Sequence, residues 1–255
     1  MVLALLVKRR HMTNRKTENP TPSQYLESSP LLNYTHPSIE HLIGSRGWNT
    51  FTDEAELIRE VYLFVRDEIA YGYTKSFTLP ASQVLADQVG NGITKSTLLM
   101  AILRAVGIPC RFHAMMISKV IFRGLLSGIP YRIADKHPFR ACVELQDKGK
   151  WYALEGYIID RAYMQKLQQR FPNQKTSFYG YGIAVMDFKN PENKGIFNQK
   201  FGKNKAMEED LGAFPTPDAF FTEVPRAESY AKDLRYKAII CGSLNRSIQK
   251  MRCSY

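Results

Sequence analysis

The residues best suited to nucleophilic or acid–base chemistry lie in the middle of the chain. Arg140 and Cys142 belong to an apolar, strand-like run that ends at Leu145. Because successive side chains of a strand point to opposite faces, these two are expected on the same face. A guanidinium beside a thiol favours the reactive thiolate. A lone buried cysteine is also an ordinary small apolar residue, so Cys142 is either reactive or inert.

Four further side chains could exchange protons near such a site, namely His113, His137, Tyr131 and Lys95. Each of these residue types can act as a general acid or base, and each is also common in purely structural roles. The segment 114–126 is rich in methionine, isoleucine and leucine. That composition is compatible with an apolar pocket and with ordinary core.

Two helices are predicted ahead of the strand that carries Arg140. Apolar residues recur at intervals of three and four over residues 53–70 and again from Gly92 to Val106. Asp53 can cap the first helix, and Gly107 ends the second.

Three strand-like runs follow the helices, at residues 110–117, 139–145 and 150–154. The last two are joined by residues 146–149, which predict a hairpin. Helices followed by antiparallel strands, rather than strict alternation of the two, indicate an α+β fold.

The two ends of the chain differ in character. Residues 13–50 are polar and rich in turn residues, as in an extension that wraps a domain or stays mobile. One amphipathic helix is predicted from about residue 227 to 252. Because Met12 could be the native start, residues 1–11 are left out of the fold prediction. We therefore expect an extension over 1–50, and one domain with a C-terminal helical extension over 51–255.

Charge and cysteine content restrict the partners and the compartment. The net charge of +11 is concentrated only near the two ends, neither of which carries a nucleic-acid motif, so a soluble surface is favoured over a nucleic-acid partner. The four cysteines form no CxxC pair, which favours a reducing, cytoplasmic setting without a metal site. The apolar stretch 2–7 is too short to span a bilayer and precedes its charges, so neither export nor a membrane is expected. No cofactor is expected.

Ordered motifs surround the predicted helix and hairpin. Gly90-Asn-Gly-Ile-Thr-Lys95 runs into Leu103-Arg-Ala-Val-Gly-Ile-Pro109, and Phe139-Arg-Ala-Cys-Val-Glu-Leu145 is followed by Gly149-Lys-Trp-Tyr-Ala-Leu-Glu155. These stretches resemble the G-Q-C-N-T-K, L-R-A-x-G-I-P, H-S/A-W-V-E-V and G-K-W-x-x-L-E/D motifs of bacterial transglutaminase-like proteins. The longer members of this group are also similar at Gly180-Tyr-Gly182, Asp210-Leu-Gly212, Pro217-Asp218 and 245–252, so the resemblance spans about residues 50–252.

The resemblance implies a papain-like α+β core in which the helix carrying the nucleophile position packs on an antiparallel sheet. It places Gly92 at the family's cysteine, Arg140 at its histidine and Glu155 at its acid. Asn91, Ile93 and Cys142 then stand at the family's glutamine, asparagine and tryptophan.

These replacements remove the family's chemistry, because Gly92 has no nucleophile and arginine stays protonated where histidine would exchange a proton. No cysteine lies between Gly92 and Cys110, so a shifted register does not restore the thiol. Thr94 and Ser96 are expected to cap or pack the helix. Arg140 and Glu155 either form a structural ion pair, or Glu155 orients Arg140 to bind a carboxylate or oxyanion.

Three functions remain open. The first is an enzyme that binds a small biosynthetic intermediate and carries out a cyclisation, isomerisation or elimination without a cysteine nucleophile. The second is a catalytically inactive homologue that binds a peptide or protein partner. The third is residual hydrolase or acyltransferase chemistry through Cys142, Thr94 or Ser96. Replacement of several residues along one cleft favours the first, with Arg140, Glu155, Cys142 and His113 as catalytic candidates and Asn91, Gly92, Ile93, Tyr131 and His137 as substrate-binding candidates.

Overall fold

A four-stranded antiparallel sheet lies at the centre of the computed structural model, which describes residues 22–193, 196–197 and 206–253. Its strand order is β10-β3-β4-β5, and every neighbouring pair is antiparallel. The strands are β3 (Cys110–Ile117), β4 (Phe139–Asp147), β5 (Lys150–Leu154) and β10 (Met207–Phe214). Three two-stranded pairs complete the strands, formed by β1 (Ala70–Tyr71) with β2 (Val89–Gly90), β6 (Phe178–Gly180) with β7 (Ile183–Val185), and β8 (Glu192–Asn193) with β9 (Ile196–Phe197).

Nine α-helices surround the sheet within the described ranges. They are α1 (Pro37–Ser45), α2 (Glu54–Asp67), α3 (Ala81–Asp87), α4 (Gly92–Ala105), α5 (Gly128–Ile133), α6 (Arg161–Arg170), α7 (Pro217–Glu223), α8 (Pro225–Ala231) and α9 (Cys241–Cys253). Helix α4 is buried along almost its whole length and packs against β3 and β4. Apart from Tyr25, the buried apolar residues in the described ranges form one hydrophobic cluster.

The predicted α+β order is confirmed, and several boundaries agree within one or two residues. Helix α4 and strands β3 and β5 lie where the hydrophobic spacing predicts them, and β4 runs two residues beyond the predicted end. Helix α2 ends at Asp67, three residues before the predicted end, since the chain turns there into β1. The Asp53 side chain caps α2 by accepting hydrogen bonds from the amides of Ala55 and Glu56.

The single C-terminal helix predicted over about 227–252 is wrong. The chain forms α8, then a π-helical turn at Tyr236–Ile240, and then α9. Between α8 and this turn, the Asp233 carboxylate accepts hydrogen bonds from the Arg235 amide and guanidinium, which favours local turn structure over a continuous helix. The spacing of apolar residues alone does not reveal such a break in a helix.

The described part of the N-terminal segment packs on the core. Leu32, Ile39 and Trp48 are buried, and the Leu31 amide donates to the Asp218 carboxylate of α7 at 3.1 Å. Helix α1 in this segment has no counterpart in the sequence prediction. The expectations for residues 1–11 and for the apolar stretch 2–7 fall outside the described residues. Among the helices that are described, none is long and apolar enough to cross a membrane.

Candidate active site

The amino end of α4 borders a small cavity of about 40 Å³. Its lining combines apolar and aromatic side chains with one cation, and Asn91, Gly92 and Arg140 are the predicted site residues among them. The lining residues are Tyr71, Tyr73, Phe77, Asn91, Gly92, Ile117, Ile121, Phe122, Pro138, Phe139, Arg140, Ile158, Gly182 and Tyr230. A cavity of this size holds a few water molecules or one small chemical group.

Gly92 and Arg140 face each other at this cavity. A Cβ atom added to Gly92 would lie 3.3 Å from Cγ of Arg140 and 3.3 Å from Cδ1 of Ile158. Both separations are closer than ordinary carbon–carbon contact, which lies at about 3.5–4.0 Å. Glycine at position 92 therefore leaves room that any other residue would fill.

Asn91 positions the start of α4 rather than pointing a free amide into the cavity. Its side-chain oxygen accepts hydrogen bonds from the amides of Ile93 at 2.9 Å and Thr94 at 3.4 Å. The Thr94 hydroxyl accepts in return from the Asn91 amide at 3.0 Å, which completes a reciprocal capping arrangement. The Ser96 hydroxyl donates to the Gly92 carbonyl, and the Ile93 side chain is buried in the core.

Arg140 is a buried cation, with only 8% of its surface exposed. Burial lowers the pKa of its guanidinium to about 10, while attraction to Glu155 and then to Cys142 works in the opposite direction. The guanidinium therefore keeps its charge at neutral pH. Glu155 itself is half-buried and does not line the cavity.

Cys142 and His113 are direct partners across the sheet. The pairing of β3 with β4 sets His113 opposite Cys142 and Met115 opposite Arg140, so His113, Cys142 and Arg140 share one face of the sheet. This is the side-chain alternation that the sequence predicts for Arg140 and Cys142. Cys142 is only 4% exposed, and neither it nor His113 is part of the cavity lining.

His113 belongs to a group of charges that we call the His113 cluster, made of His113, Arg111, Glu144 and Asp210. His113 and Glu144 are buried, Arg111 is half-buried and Asp210 is exposed. Its Nε2 lies 2.6 Å from Oδ1 of Asp210, and its Nδ1 lies 3.0 Å from Oε1 of Glu144. Arg111 Nε donates to the other Glu144 oxygen at 2.6 Å. Burial works to lower the pKa of His113, but the hydrogen bond to Asp210 and the attraction of the nearby Glu144 carboxylate outweigh it and raise the value to about 9. His113 is thus an imidazolium held between two carboxylates, which cannot accept a further proton.

The other three proton-exchange candidates lie apart from the cavity. Lys95 is fully buried, and its ammonium donates to the carbonyls of Arg66 at 3.0 Å, Ile69 at 2.7 Å and Ile158 at 3.1 Å. These three bonds use all of its donors. His137 is exposed at the surface beside Glu208, and Tyr131 is half-buried with the Lys119 ammonium 4.7 Å from its ring centre.

Two tyrosines that the sequence interpretation does not single out border the cavity. The Tyr71 hydroxyl donates to the Tyr73 hydroxyl at 2.9 Å. Burial raises the pKa of Tyr73 to about 12 and that of Tyr71 well above its usual value, and the charge of Arg140 lowers both. Both hydroxyls therefore stay protonated and able to donate.

Tyr71 is fixed on two sides. Its amide donates to the Asp160 carboxylate at 2.8 Å, and Asp160 also binds the Arg252 guanidinium of α9. On the other side, a Cβ atom on Gly182 would lie 1.9 Å from the Tyr71 hydroxyl oxygen, and Gly182 has a φ of +81°. In the sequence, the Gly180-Tyr-Gly182 motif is the signal that could have indicated this part of the cavity lining.

Residues 45–156 match the family model of the transglutaminase-like superfamily. The matched segment runs from the end of α1 to just beyond β5, so it contains Gly92, Arg140 and Glu155. The antiparallel sheet with α4 packed on it agrees with a transglutaminase-like, papain-like core. The matched segment thus supplies one side of the cavity, and Ile158, Gly182 and Tyr230 come from residues after it.

Among solved structures, a proposed cysteine protease from Cytophaga hutchinsonii is similar over 56% of this chain and 43% of its own, with 15% identity and a TM-score of 0.42. This chain therefore spans less than half the length of that protein. No curated protein matches the chain. Within the described ranges, no group of three or more His, Cys, Asp and Glu residues is arranged to hold a metal ion.

Proposed function

We propose that this chain is a transglutaminase-like protein that binds a small biosynthetic intermediate at the Gly92–Arg140 cavity and transforms it without a cysteine nucleophile. The observation that carries the proposal is a buried, charged arginine whose Cγ lies beside a residue with no side chain, at the amino end of the helix where the family resemblance expects a cysteine beside a histidine. A cyclisation, isomerisation or elimination fits such a site, because these reactions need positioned charge and proton donors rather than a thiol.

The surroundings of the cysteines support the proposal. Cys142 is buried and interacts electrostatically with Arg140 and Tyr157. Among the residues that the structure describes, however, no cysteine lines the cavity. Burial also raises the pKa of Cys110 to about 11 and raises that of Cys241, which disfavours the thiolate at both positions. A nucleophilic thiol in this cleft is therefore the weaker interpretation.

The residues that line the cavity favour a functional ligand-binding site over the remnant of a lost catalytic site. Burying a guanidinium costs free energy unless nearby groups stabilise its charge. Arg140 shares the cavity with the Tyr71–Tyr73 hydroxyl pair, and the remaining walls are mostly apolar. Fixed donors in an apolar cavity are the arrangement that recognises a small polar ligand.

Two standard assays test the absence of thiol chemistry. Amine-incorporation and amidase assays on the native chain should show no activity above background, and Cys142→Ala should change nothing. Robust activity that Cys142→Ala abolishes would contradict the proposal.

A metabolite-consumption experiment tests turnover. The native chain is incubated with a protein-free cell extract, and mass spectrometry records which small molecules are consumed and which appear. We expect a conversion that Arg140→Met abolishes and Arg104→Lys preserves, because Arg104 is also buried but donates to carbonyls outside the cavity. Binding without any conversion would favour the catalytically inactive alternative.

A further inference from the structure

We infer that Asn245 and Arg252 of helix α9 are positioning residues of the Gly92–Arg140 cavity, because they hold the Tyr71–Tyr73 segment, whose two tyrosines line it. The inference rests on the proposed function, because it extends the same site to the C-terminal helix. Asn245 and Arg252 stand about two turns apart, on one side of α9. Neither of them lines the cavity, so each acts through the segment that it holds.

Asn245 binds both backbone groups of Tyr73. Its side-chain oxygen accepts a hydrogen bond from the Tyr73 amide at 2.8 Å, and its side-chain nitrogen donates to the Tyr73 carbonyl at 2.7 Å. The Cys241 thiol, one turn earlier on α9, donates to the same carbonyl at 3.4 Å. A carboxamide has both the acceptor and the donor that one peptide backbone needs, so Asn245 fixes the position of Tyr73.

Arg252 holds the backbone of Tyr71 together with Asp160. The Arg252 guanidinium donates to the Tyr71 carbonyl at 3.1 Å, and the Asp160 carboxylate accepts from the Tyr71 amide at 2.8 Å. Asp160 and Arg252 also form an ion pair, and the Asp160 side chain is only 4% exposed. Burial works to raise the pKa of Asp160, but the bonds from Arg252 and from backbone amides outweigh it and lower the value. The pair is therefore charged at neutral pH.

The Tyr71–Tyr73 segment also contacts the chain that leads into α4. Tyr71 pairs with Gly90 where β1 meets β2, and the Gly72 amide donates to the Gly90 carbonyl at 3.0 Å. Gly90 stands two residues before Gly92. A displacement of the segment would therefore change the tyrosine side of the cavity and the start of α4 together.

Asn33 provides a matched control for Asn245. Its side chain accepts from the Ser82 amide at 3.1 Å and donates to the Ser82 hydroxyl at 2.8 Å, and it is half-buried like Asn245. These bonds tie the N-terminal segment to α3, and neither Asn33 nor Ser82 lines the cavity. Asn33→Leu and Asn245→Leu thus each remove a pair of bonds between a side chain and a residue distant in sequence, and only Asn245→Leu removes them beside the cavity.

NMR of protein whose tyrosine rings carry ¹³C tests whether α9 sets the position of the segment. The label adds no atoms, and Tyr71→Phe and Tyr73→Phe assign the two resonances among those of the 14 tyrosines. We expect Asn245→Leu to shift or broaden both resonances and Asn33→Leu to leave both unchanged. Unchanged resonances of Tyr71 and Tyr73 in Asn245→Leu would overturn the inference.

Turnover separates a positioning role from a purely structural one. The same variants enter the metabolite-consumption experiment, with protein-free cell extract as the probe, at a temperature where urea unfolding shows all of them to be folded. We expect Asn245→Leu to convert the compound at least about tenfold more slowly than the native chain, because small displacements at a site are costly to rate. Asn33→Leu should keep the native rate. Equal losses of rate in both variants would make Asn245 a structural residue and overturn the inference.

Milder substitutions carry the test if circular dichroism shows that Asn245→Leu does not fold. Asn245→Asp keeps an acceptor for the Tyr73 amide but sets a carboxylate oxygen against the Tyr73 carbonyl. Arg252→Lys keeps the charge beside Asp160 but loses the fork that reaches Asp160 and Tyr71 at once. Each should slow conversion by about threefold or more. Native rates in both variants would contradict the inference.

The two measurements separate this inference from the proposed function. If the native chain converts a compound and Asn245→Leu converts it at the native rate, the proposed function stands and the inference is wrong. If the native chain converts nothing in the extract, the proposed function fails, and the ring resonances alone decide whether α9 positions the Tyr71–Tyr73 segment.

Discussion

Two buried cationic sites on the same face of one sheet are built in opposite ways. In the His113 cluster, the imidazolium lies between two carboxylates, one of which also binds Arg111. At the Gly92–Arg140 cavity, Arg140 lines open space together with Tyr71, Tyr73 and apolar side chains, and Glu155 attracts its charge from outside the lining. Strands β3 and β4 carry both arrangements only two residues apart.

Under the proposed function, the difference separates a structural use of buried charge from a functional one. A buried cation held between carboxylates is tied to the fold, because removal of one partner leaves a charge buried without compensation. A buried cation that lines a cavity lies within reach of a molecule that is not part of the chain. His113 matches the first description and Arg140 the second, although the sequence makes both of them catalytic candidates.

Removal of one carboxylate should affect stability most in the His113 cluster. Glu144→Gln leaves His113 and Arg111 with one carboxylate fewer in a buried setting, so the free energy of unfolding should fall by about 3 kcal/mol. Urea unfolding followed by circular dichroism measures it. Glu60→Gln, in an exposed pair with Arg59, should cost less than about 0.5 kcal/mol. A loss below about 1 kcal/mol for Glu144→Gln would show that the cluster does not hold the sheet together.

The same cluster should make stability depend on pH in the alkaline range. The pKa of His113 is raised from 6.5 to about 9, so its stabilising contribution is complete below pH 6.5 and is lost as pH rises toward 9. The free energy of unfolding of the native chain should therefore fall relative to that of His113→Asn over this range. Lys95, whose pKa burial lowers to about 7, affects both proteins alike and cancels in the difference. A difference that does not vary between pH 6.5 and 9 would contradict a charged His113.

Arg140→Met should behave differently from Glu144→Gln. Methionine removes a buried charge and keeps most of the apolar stem, and Glu155 is half-buried, so water reaches part of its side chain. The free energy of unfolding should therefore change by no more than about 1 kcal/mol, or rise. Urea unfolding under the same conditions gives the comparison. A loss of about 3 kcal/mol would make Arg140 a structural residue like those of the His113 cluster.

Glycine at position 92 should show the smallest effect. Gly92→Ala places a methyl group 3.3 Å from Arg140 and Ile158, whereas Gly44→Ala in α1 meets nothing within 4 Å. Both gain helix propensity, so Gly92→Ala should be less stable than Gly44→Ala by about 0.5–1 kcal/mol and should have a smaller cavity. Equal thermal unfolding temperatures for the two variants would show that a methyl group fits beside Gly92 without steric conflict.

The sequence predicts the fold and half of the cavity. Hydrophobic spacing predicts α4, β3 and β4, and these elements bring Gly92 to Arg140. Tyr71 and Tyr73 were missed because they lie in and just after a two-residue strand, too short for any periodic pattern. Strand β10 was not predicted either, so the sequence did not indicate that Asp210, on that strand, would contact His113.

Small molecules that co-purify with the chain provide the most direct test of a thiol-independent, arginine-dependent site. Native protein, Cys142→Ala and Arg140→Met are purified in parallel, denatured, and analysed by mass spectrometry for released compounds. We predict one compound, present with the native chain and with Cys142→Ala in equal amount and absent with Arg140→Met. A compound retained by Arg140→Met and lost from Cys142→Ala would contradict the account.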